Sequence, residues 1–351
     1  MMSISTIYSR QPWRRRSFDT AHVISISAII SVSLTTIIFA LYMHGNLRLK
    51  SENAVPYEAT STALEKVLID SLDWNNTELP VSRDKVRKLI STSQRSWKRG
   101  KKKLYILHIH KGGGTTLCTF FSESGIHIDQ TNNCNGNQEM SYAVQHNTTE
   151  LLNILTKGRY QAVFNEQGIH HPLLESEFIY ITTIRDPIER HLSQMMHAWN
   201  LMPLLQNGTV KFKIKSNQTL VDGSEIVEKW LVIGEEYMPN YETSVFIDKQ
   251  PTTIRDMTDA IHYLSKFTLV IPTDELNDGL FRLSKLLSMN PTQDQMDIEM
   301  RGGSLGKTTE IVNILRSQNP SLYDRLVDEN SFDLLLYQFS KGIYGVQRQF
   351  L

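Results

Sequence analysis

The chain has no excess of charge of either sign, little cysteine and no repetitive sequence. Lys and Arg together number 37, as do Asp and Glu, so the overall charge gives no argument for a nucleic acid or another polyanion as partner. Only local clusters of basic residues could supply that argument. No internal repeat or low-complexity tract occurs in the 351 residues, and 40% of them are hydrophobic, which is typical of an ordinary globular protein.

One hydrophobic run contains no charged residue. Residues 23–43, VISISAIISVSLTTIIFALYM, are long enough to cross a bilayer as a helix. The run is preceded by Arg10, Arg14, Arg15 and Arg16, whereas the basic residues after it are balanced by acidic ones. Because positive charge stays on the cytoplasmic side, this asymmetry predicts a single-pass type II protein whose C-terminal part is lumenal. A cleaved signal peptide is the alternative, but the following residues offer no convincing cleavage site.

A lumenal position has two consequences for the rest of the sequence. Asn-x-Ser/Thr sequons, which can be glycosylated in the lumen, occur at Asn75, Asn147, Asn207 and Asn217. The only two cysteines, Cys118 and Cys134, lie beyond the predicted anchor. An oxidising lumen permits a disulfide between them, and two buried free thiols are the alternative.

Short apolar segments alternate with helical segments from Leu104 onward. Strands are predicted for LYILHI, YQAVFNE, EFIYITTIRDP and FTLVIPTDEL, and helices for IERHLSQMMHAW and NDGLFRLSKLLSM. This alternation indicates an α/β fold with a P-loop-like central parallel sheet that is flanked by helices. The predicted segments are therefore a cytoplasmic tail (residues 1–22), a transmembrane signal anchor (23–43), a stem (44–103) and a lumenal domain (104–351).

The segment HIHKGGGTTL, residues 108–117, follows the first predicted strand and opens a helix. In a strand–turn–helix unit, glycines let the backbone approach a ligand, and the first helical N–H groups point at it. The glycines here are Gly112, Gly113 and Gly114; Thr115 and Thr116 add hydroxyl donors, and Lys111 adds a cation. The pattern predicts a phosphate site, but not a Walker A loop, in which the lysine follows the glycines. A glycine-rich connection without a ligand is the alternative.

A second candidate anion site lies in IYITTIRDPIERHLS, residues 179–193. Arg185 ends a predicted strand, and Ser193 lies in the helix that follows. Ligands of open α/β sheets bind at the carboxyl ends of the strands, so Arg185 and the glycine loop are expected to face one crevice. Two anion sites in one crevice suit a nucleotide that carries phosphate at both ends. Taken alone, Arg185 and Asp186 would be explained by a turn ion pair and a helix cap.

Together these two segments resemble the nucleotide-binding motifs of the Golgi carbohydrate sulfotransferases. HIHKGGGTTL is similar to the family's loop for the 5′-phosphosulfate of 3′-phosphoadenosine 5′-phosphosulfate (PAPS), and the segment from Arg185 to Ser193 is similar to its 3′-phosphate motif. The likeness is greatest to the heparan sulfate and uronyl 2-O-sulfotransferases. The later segment GKTTE resembles one that helps to close over the nucleotide in those enzymes, which adds Lys307 and Thr308 to the expected cofactor site. His110 and Gly112 depart from the family, which usually has Pro and Thr at these positions.

The resemblance implies PAPS-dependent transfer of a sulfuryl group to a glycan hydroxyl by in-line displacement, in the Golgi membrane and without a metal. Lys111 would stabilise the leaving 5′-phosphate, and the acceptor hydroxyl would need a base. The 2-O enzymes use a histidine between the two motifs, which makes His170 and His171 the first candidates. Glu166 is a third, because other sulfotransferases use a glutamate. His108 is expected to pack at the strand end, and His110 is left without a role.

The acceptor site is indicated only by VKFKIK, residues 210–215. Lys211, Lys213 and Lys215 alternate with apolar residues, which predicts a strand with one basic face. That face would suit a sulfated or carboxylated glycan, whereas an edge strand whose lysines prevent aggregation is the alternative. No nucleic acid is expected as a partner, and the sequence leaves open whether copies of the chain associate.

Three other functions fit parts of the sequence. A non-catalytic nucleotide-binding or glycan-binding relative would explain the altered glycine loop. A glycosyltransferase would share the anchor and stem, but many of these enzymes need an Asp-x-Asp metal site, and the chain has no such motif. A P-loop kinase is opposed by the position of Lys111 before the glycines.

Overall fold

The computed structural model describes residues 82–351 apart from residues 130, 132–133, 170–171, 207–208, 217, 235–236, 291 and 293–303. The predicted tail and anchor, and the stem up to residue 81, lie outside the described residues. Within the part of the chain that the structure describes, no helix is both long enough and apolar enough to cross a membrane. All elements below belong to the compact unit Trp74–Leu351.

Helices and strands are interspersed along the first part of this unit: among the described residues, three helices separate the first two strands and none separates the second strand from the third. The order is α1 (Arg83–Lys98), β1 (Lys103–Leu107), α2 (Gly114–Glu123), α3 (Gln138–His146), α4 (Thr148–Lys157), β2 (Ala162–Asn165), β3 (Phe178–Ile184) and α5 (Pro187–Ala198). A small antiparallel region and a helical C-terminal part follow. They comprise β4 (Leu201–Gln206), β5 (Thr209–Ile214), β6 (Leu220–Asp222), α6 (Gly223–Ile233), α7 (Tyr241–Ile247), α8 (Ile254–Leu264), β7 (Leu269–Pro272), a 3₁₀ turn (Thr273–Glu275), α9 (Leu276–Leu287), α10 (Ser304–Gln318), α11 (Pro320–Glu329) and α12 (Ser331–Gln347).

The central sheet has four strands in the order β2-β1-β3-β7, and every pair is parallel. All residues of β2, β3 and β7 are buried. Continuous burial of this kind is typical of a parallel sheet that is covered on both faces. The prediction of an α/β fold with a parallel central sheet flanked by helices is confirmed.

A second sheet packs over its own hydrophobic cluster. Its three antiparallel strands lie in the order β4-β5-β6. Buried Val210 and Phe212 of β5 pack there with Trp230 of α6, and the cluster also takes in apolar residues of α5, α10 and α11. Helix α5 contributes Ile188, Leu192, Met195 and Met196, with Trp199 packed against them, so the apolar face predicted for this helix is confirmed.

The basic strand lies in the middle of this second sheet and not at its edge. Lys213 of β5 is opposite Met202 of β4 on one side and opposite Leu220 of β6 on the other. The interpretation of its lysines as protection for an edge strand is therefore wrong. Because side chains alternate between the two faces of a strand, the lysines point away from the face that buries Phe212.

Helix α1 belongs to the folded unit, so the prediction that the stem extends to residue 103 is wrong. Its residues Val86 and Ile90 are buried, and the helix packs against α9 and α12. The indole Nε1 of Trp97 donates a hydrogen bond to the backbone oxygen of Leu287 at 3.0 Å, and Ser93 Oγ lies 3.1 Å from Thr268 Oγ1. The folded unit therefore begins before residue 104.

Replacing Ile90 by alanine is expected to lower the free energy of unfolding by about 2–4 kcal/mol, because it leaves a cavity between α1 and the helices beneath it. Urea denaturation of the purified protein measures this change. Lys88→Ala, on the exposed face of the same helix, is the matched control and should change stability little. Equal stability of the two variants would show that α1 does not contribute to the fold.

Candidate functional site

The two predicted anion motifs lie at the same edge of the central sheet. Strand β1 pairs with β2 on one side and β3 on the other, with Leu107 opposite both Asn165 and Thr182. The chain passes from β1 to β2 on one side of β1, and then crosses to β3 on the other side, beyond which β7 is added. The strand order therefore reverses between β1 and β3, which is where open α/β sheets bind ligands. The loops that begin at His108 and Arg185 flank this point.

The glycine loop makes a tight turn that puts a glycine, which has no side chain to cap a helix, at the N-cap of α2. Lys111 has a φ of 64° and Gly113 a φ of 94°, both in the left-handed region. The backbone N–H of Gly112 donates to the oxygen of Ile109 at 2.8 Å, which closes the turn. Gly113 is the N-cap residue of α2 and makes no side-chain capping bond. The start of α2 can therefore bind an anion through its N–H groups.

Gly114 has a packing role in addition to its place at the helix start. A Cβ atom at Gly114 would lie 1.7 Å from Cδ2 and 2.0 Å from Nε2 of His108. Any side chain here would therefore displace the imidazole. His108 packs at the end of β1, as predicted, with 3% of its surface exposed.

A cavity of about 260 Å³ opens at this edge of the sheet. It is lined by His108, His110, Lys111, Gly113, Gly114, Thr115, Asn135, Glu166 and His197. Three side chains in its wall contact one another. Asn135 Nδ2 donates to Glu166 Oε2 at 2.7 Å, Asn135 Oδ1 lies 3.3 Å from His108 Nδ1, and Glu166 Oε1 lies 3.7 Å from His108 Nε2.

The turn that carries Glu166 is held by Asn165. The side-chain Nδ2 of Asn165 donates to Tyr105 Oη at 2.7 Å and to the oxygen of Gly168 at 2.5 Å, and its Oδ1 accepts from the N–H of Gln167 at 2.9 Å. These bonds fix the direction in which the chain leaves β2. Glu166 is therefore directed at the cavity, whereas His170 and His171, the two predicted histidine bases, lie outside the described residues.

Arg185 lies against the backbone of Lys111, although it is buried and is not among the residues that line the cavity. Arg185 Nη1 donates to the backbone oxygen of Lys111 at 3.3 Å, and its Nη2 lies 3.3 Å from Glu189 Oε2. Burial lowers the pKa of the Lys111 ammonium and the charge of Arg185 lowers it further, while Glu166 opposes both effects. The guanidinium Nε of Arg185 is buried without a hydrogen-bond partner among the described residues. An anion bound here would relieve the repulsion between the two cations.

The other expected cofactor residues are divided between α5 and α10. Ser193 is buried on α5. Thr308 is fully buried on α10, and the neighbouring Thr309 donates to Glu189 Oε1 at 2.6 Å. Because Glu189 also contacts Arg185, the GKTTE segment and the Arg185 motif belong to one contact network. The backbone of Lys307 is helical, and its side chain lies outside the described part of the structure.

Beneath the Arg185 motif lies a pair of fully buried carboxyl groups that the sequence analysis does not predict. Glu242 Oε1 accepts from the backbone N–H of Arg185 at 3.2 Å. Asp333 of α12 accepts from the N–H groups of Glu242 and Thr243 at 2.8 and 2.7 Å. Burial raises the pKa of Glu242 well above its usual range, and the nearby Asp333 adds to this effect. The pair joins α12, α7 and the end of β3.

Two residues of the cavity wall, His197 and Asn135, are missing from the sequence analysis. His197 lies near the end of α5, where its ring centroid is 5.9 Å from that of His110. Asn135 follows Cys134, which forms a disulfide with Cys118 of α2 across 5.8 Å between the Cα atoms. A disulfide assumed from the sequence would have predicted that Asn135 lies close to α2.

In the described part of the chain, no group of three or more His, Cys, Asp or Glu side chains could hold a metal ion.

No protein-family model matches the sequence, and no curated protein or solved structure is significantly similar to it.

Replacing Cys118 and Cys134 together by alanine is expected to lower the free energy of unfolding by about 3 kcal/mol, because the bridge closes a loop with a sequence separation of 16 residues. Urea denaturation with and without dithiothreitol measures the effect. The reductant should destabilise the native protein by a similar amount and leave the double variant unchanged. Identical denaturation midpoints for all samples would contradict a stabilising bridge.

Proposed function

We propose that the chain is a PAPS-dependent O-sulfotransferase that transfers a sulfuryl group to a hydroxyl of a glycan. The observation that carries this proposal is the pairing of a helix start whose N-cap is glycine with two adjacent cations, Lys111 and Arg185, at the point where the order of the parallel strands reverses. A site of this kind suits a nucleotide with phosphate groups on two sides. We also propose that the central parallel sheet is of the P-loop type.

The donor nucleotide would bind across both motifs. The N–H groups at the start of α2, with Thr115 and Thr116, would hold the 5′-phosphosulfate, and the backbone of Gly112, Gly113 and Gly114 would give it room. Arg185 and Ser193 would hold the 3′-phosphate. Lys307 and Thr308 would close over the nucleotide, which agrees with the bond between the neighbouring Thr309 and Glu189 of the Arg185 motif.

Sulfuryl transfer would proceed by in-line displacement at sulfur. The acceptor oxygen attacks as the bridging oxygen of the 5′-phosphate leaves, so the enzyme must position both groups and neutralise the charge that develops on the phosphate. Lys111 would supply that neutralisation. Because burial and Arg185 lower its pKa, an arriving anion would restore the ordinary basicity of the ammonium. No step of this reaction requires a metal.

The chain would act in the lumen of the Golgi as a type II membrane protein anchored by residues 23–43. The uncharged run, the four preceding arginines and the four sequons support this location. The disulfide between Cys118 and Cys134 also supports it, because an oxidising lumen allows such a bridge to form and persist.

The acceptor would be an anionic glycan bound on the outer face of the second sheet. Lys211 and Lys213 lie on that face, each between residues of β4 and β6. Met202 and Leu220, on either side of Lys213, are 40% and 49% exposed, whereas Lys211 lies between Leu204 and Asp222. The face therefore combines positive charge and apolar surface with one carboxylate. Sugar rings with sulfate or carboxylate groups present the complementary combination. We expect no nucleic acid to bind on this face. The proposal applies equally to a single copy of the chain and to a homo-oligomer.

A non-catalytic nucleotide-binding relative is the second candidate function. It is favoured by the presence of His110 and Gly112 in the loop, where the catalytic family usually has Pro and Thr. Arg185 is only 3% exposed and contacts Glu189, so in either function a 3′-phosphate would have to displace that carboxylate. A Golgi glycosyltransferase is a weaker alternative because the sequence has no Asp-x-Asp motif.

Labelled sulfate should pass from PAPS to at least one member of a panel of desulfated and native glycosaminoglycans when the purified protein is added.

Lys111→Ala should reduce kcat for this transfer roughly 10²–10³-fold, because the leaving phosphate loses its counter-charge. Arg185→Ala should weaken binding of 3′-phosphoadenosine 5′-phosphate about 10- to 100-fold, since a charged hydrogen bond is lost.

Lys98→Ala, an exposed lysine of α1, is the matched control and should behave like the native protein. Tight nucleotide binding without transfer to any glycan would favour the non-catalytic relative. Absence of both binding and transfer would exclude both candidate functions.

Reversing the charge of the basic face, with Lys211→Glu and Lys213→Glu together, is expected to raise KM for an anionic glycan about tenfold through the loss of exposed ion pairs. The affinity for 3′-phosphoadenosine 5′-phosphate should not change. Steady-state kinetics at several salt concentrations measure the effect, which should shrink as salt screens the charges. Lys229→Glu on the exposed side of α6 is the control, and an equal effect of that variant would argue against a specific acceptor face.

A further inference from the structure

His108, Asn135 and Glu166 form a connected group in the wall of the cavity, and the contacts between them determine where the protons lie. A carboxylate only accepts hydrogen bonds, so the Asn135 atom that lies 2.7 Å from Glu166 Oε2 is the donor Nδ2. The acceptor Oδ1 of Asn135 therefore faces His108 Nδ1 at 3.3 Å. His108 must donate there, which puts the ring proton on Nδ1 and leaves a lone pair on Nε2.

The lone pair of His108 lies beside the proposed sulfuryl site. Nε2 and Cδ2 are the ring atoms that a Cβ at Gly114 would strike, at 2.0 and 1.7 Å. Gly114 is the first residue of α2, whose N–H groups face the proposed donor nucleotide. The atom that can accept a proton is therefore directly next to the helix start.

Glu166 is positioned to stabilise the charged form of the ring. Its Oε1 lies 3.7 Å from His108 Nε2, so a proton on that nitrogen would face a carboxylate. Asn135 holds the other carboxylate oxygen in place, and the disulfide at Cys134 ties the Asn135 segment to α2. An imidazole held on one side and faced by a carboxylate on the other has the features of a general base.

We propose that His108 accepts the proton of the acceptor hydroxyl, with Asn135 fixing its tautomer and Glu166 stabilising the imidazolium. The assignment rests on the proposed sulfotransferase function. In the step, the O–H electron pair of the acceptor forms the new O–S bond, and the proton moves to His108 Nε2. The S–O bond to the 5′-phosphate breaks, and its electron pair remains on 3′-phosphoadenosine 5′-phosphate, next to Lys111.

The charges around His108 keep the ring ready to accept a proton. Burial lowers its pKa, the Glu166 carboxylate and the bond to Asn135 raise it, and Lys111 lowers it again, with a net downward shift. His110 also lies in the cavity wall, with its own pKa lowered mainly by burial and with His197 next to it. The lowered pKa favours the neutral ring, which is the form that can accept a proton.

The test is the pH dependence of kcat for sulfate transfer, measured with the native protein, His108→Asn and Glu166→Gln. In the native protein kcat should rise with pH as His108 loses its proton and then level off. His108→Asn, whose amide can still donate to Asn135, should lower the plateau roughly 10²–10⁴-fold. Glu166→Gln removes the charge that raises the pKa of His108, so the rise should move to lower pH and the plateau should fall.

Binding of 3′-phosphoadenosine 5′-phosphate should remain unchanged in both variants, which separates a lost base from a lost fold. His108→Gly gives a second, independent measurement, because added imidazole should fill the vacated space and restore transfer in proportion to its unprotonated fraction. His262→Asn, on the exposed side of α8, is the matched control and should have the native profile.

The possible results discriminate between the hypotheses. A native protein that transfers no sulfate to any acceptor would overturn the proposed function and this assignment with it. An active native protein with an equally active His108→Asn variant would overturn only the assignment. In that case, loss of the pH-dependent rise in His110→Asn would assign the base to His110. Loss of the rise in His170→Asn or in His171→Asn would assign the base to the histidine that was replaced. Abolished transfer in Glu166→Gln beside a nearly active His108→Asn would make Glu166 the base.

Discussion

The site depends on the parallel register of β1 between β2 and β3. The ladder puts Leu107 opposite Asn165, and the N–H of His108 continues it to the oxygen of Asn165 at 2.8 Å. Two chain segments that are far apart in sequence therefore leave the sheet side by side, one towards His108 and the other towards Glu166. A shift of one residue in this register would turn one of the two side chains to the opposite face of the sheet.

Much of the fold could be predicted from the sequence because its signals are local. Short apolar runs such as Phe178–Ile184 indicate buried strands. The Asp186-Pro187 pair marks the start of α5, where Asp186 accepts hydrogen bonds from the N–H groups at the helix start. The glycine loop can be predicted for the same reason, because three consecutive glycines between a strand and a helix indicate a tight turn, and Gly113 does occupy a left-handed position at the start of α2. The carboxyl-edge rule then placed Arg185 near that loop, and the two lie in contact.

The remaining parts of the site depend on contacts between residues distant in sequence, which no local pattern reveals. Asn135 reaches the cavity through a disulfide that the sequence allowed but did not require. Gly114 is explained by the imidazole of His108, against which any side chain at position 114 would clash, and this steric relation is visible only in three dimensions. Helix α1 looked like part of the stem because its polar face dominates its composition, whereas its few apolar residues complete a core formed by α9 and α12.

The buried carboxylate of Asp333 also has a consequence for the order in which the protein is made. Asp333 lies in the last helix of the chain, yet it holds the N–H groups of Glu242 and Thr243, and Glu242 in turn holds the backbone of Arg185. During synthesis the glycine loop and the Arg185 turn emerge long before the helix that supports them. A growing chain can therefore form its central strands early, but the support beneath the Arg185 turn becomes complete only when α12 has left the ribosome and docked.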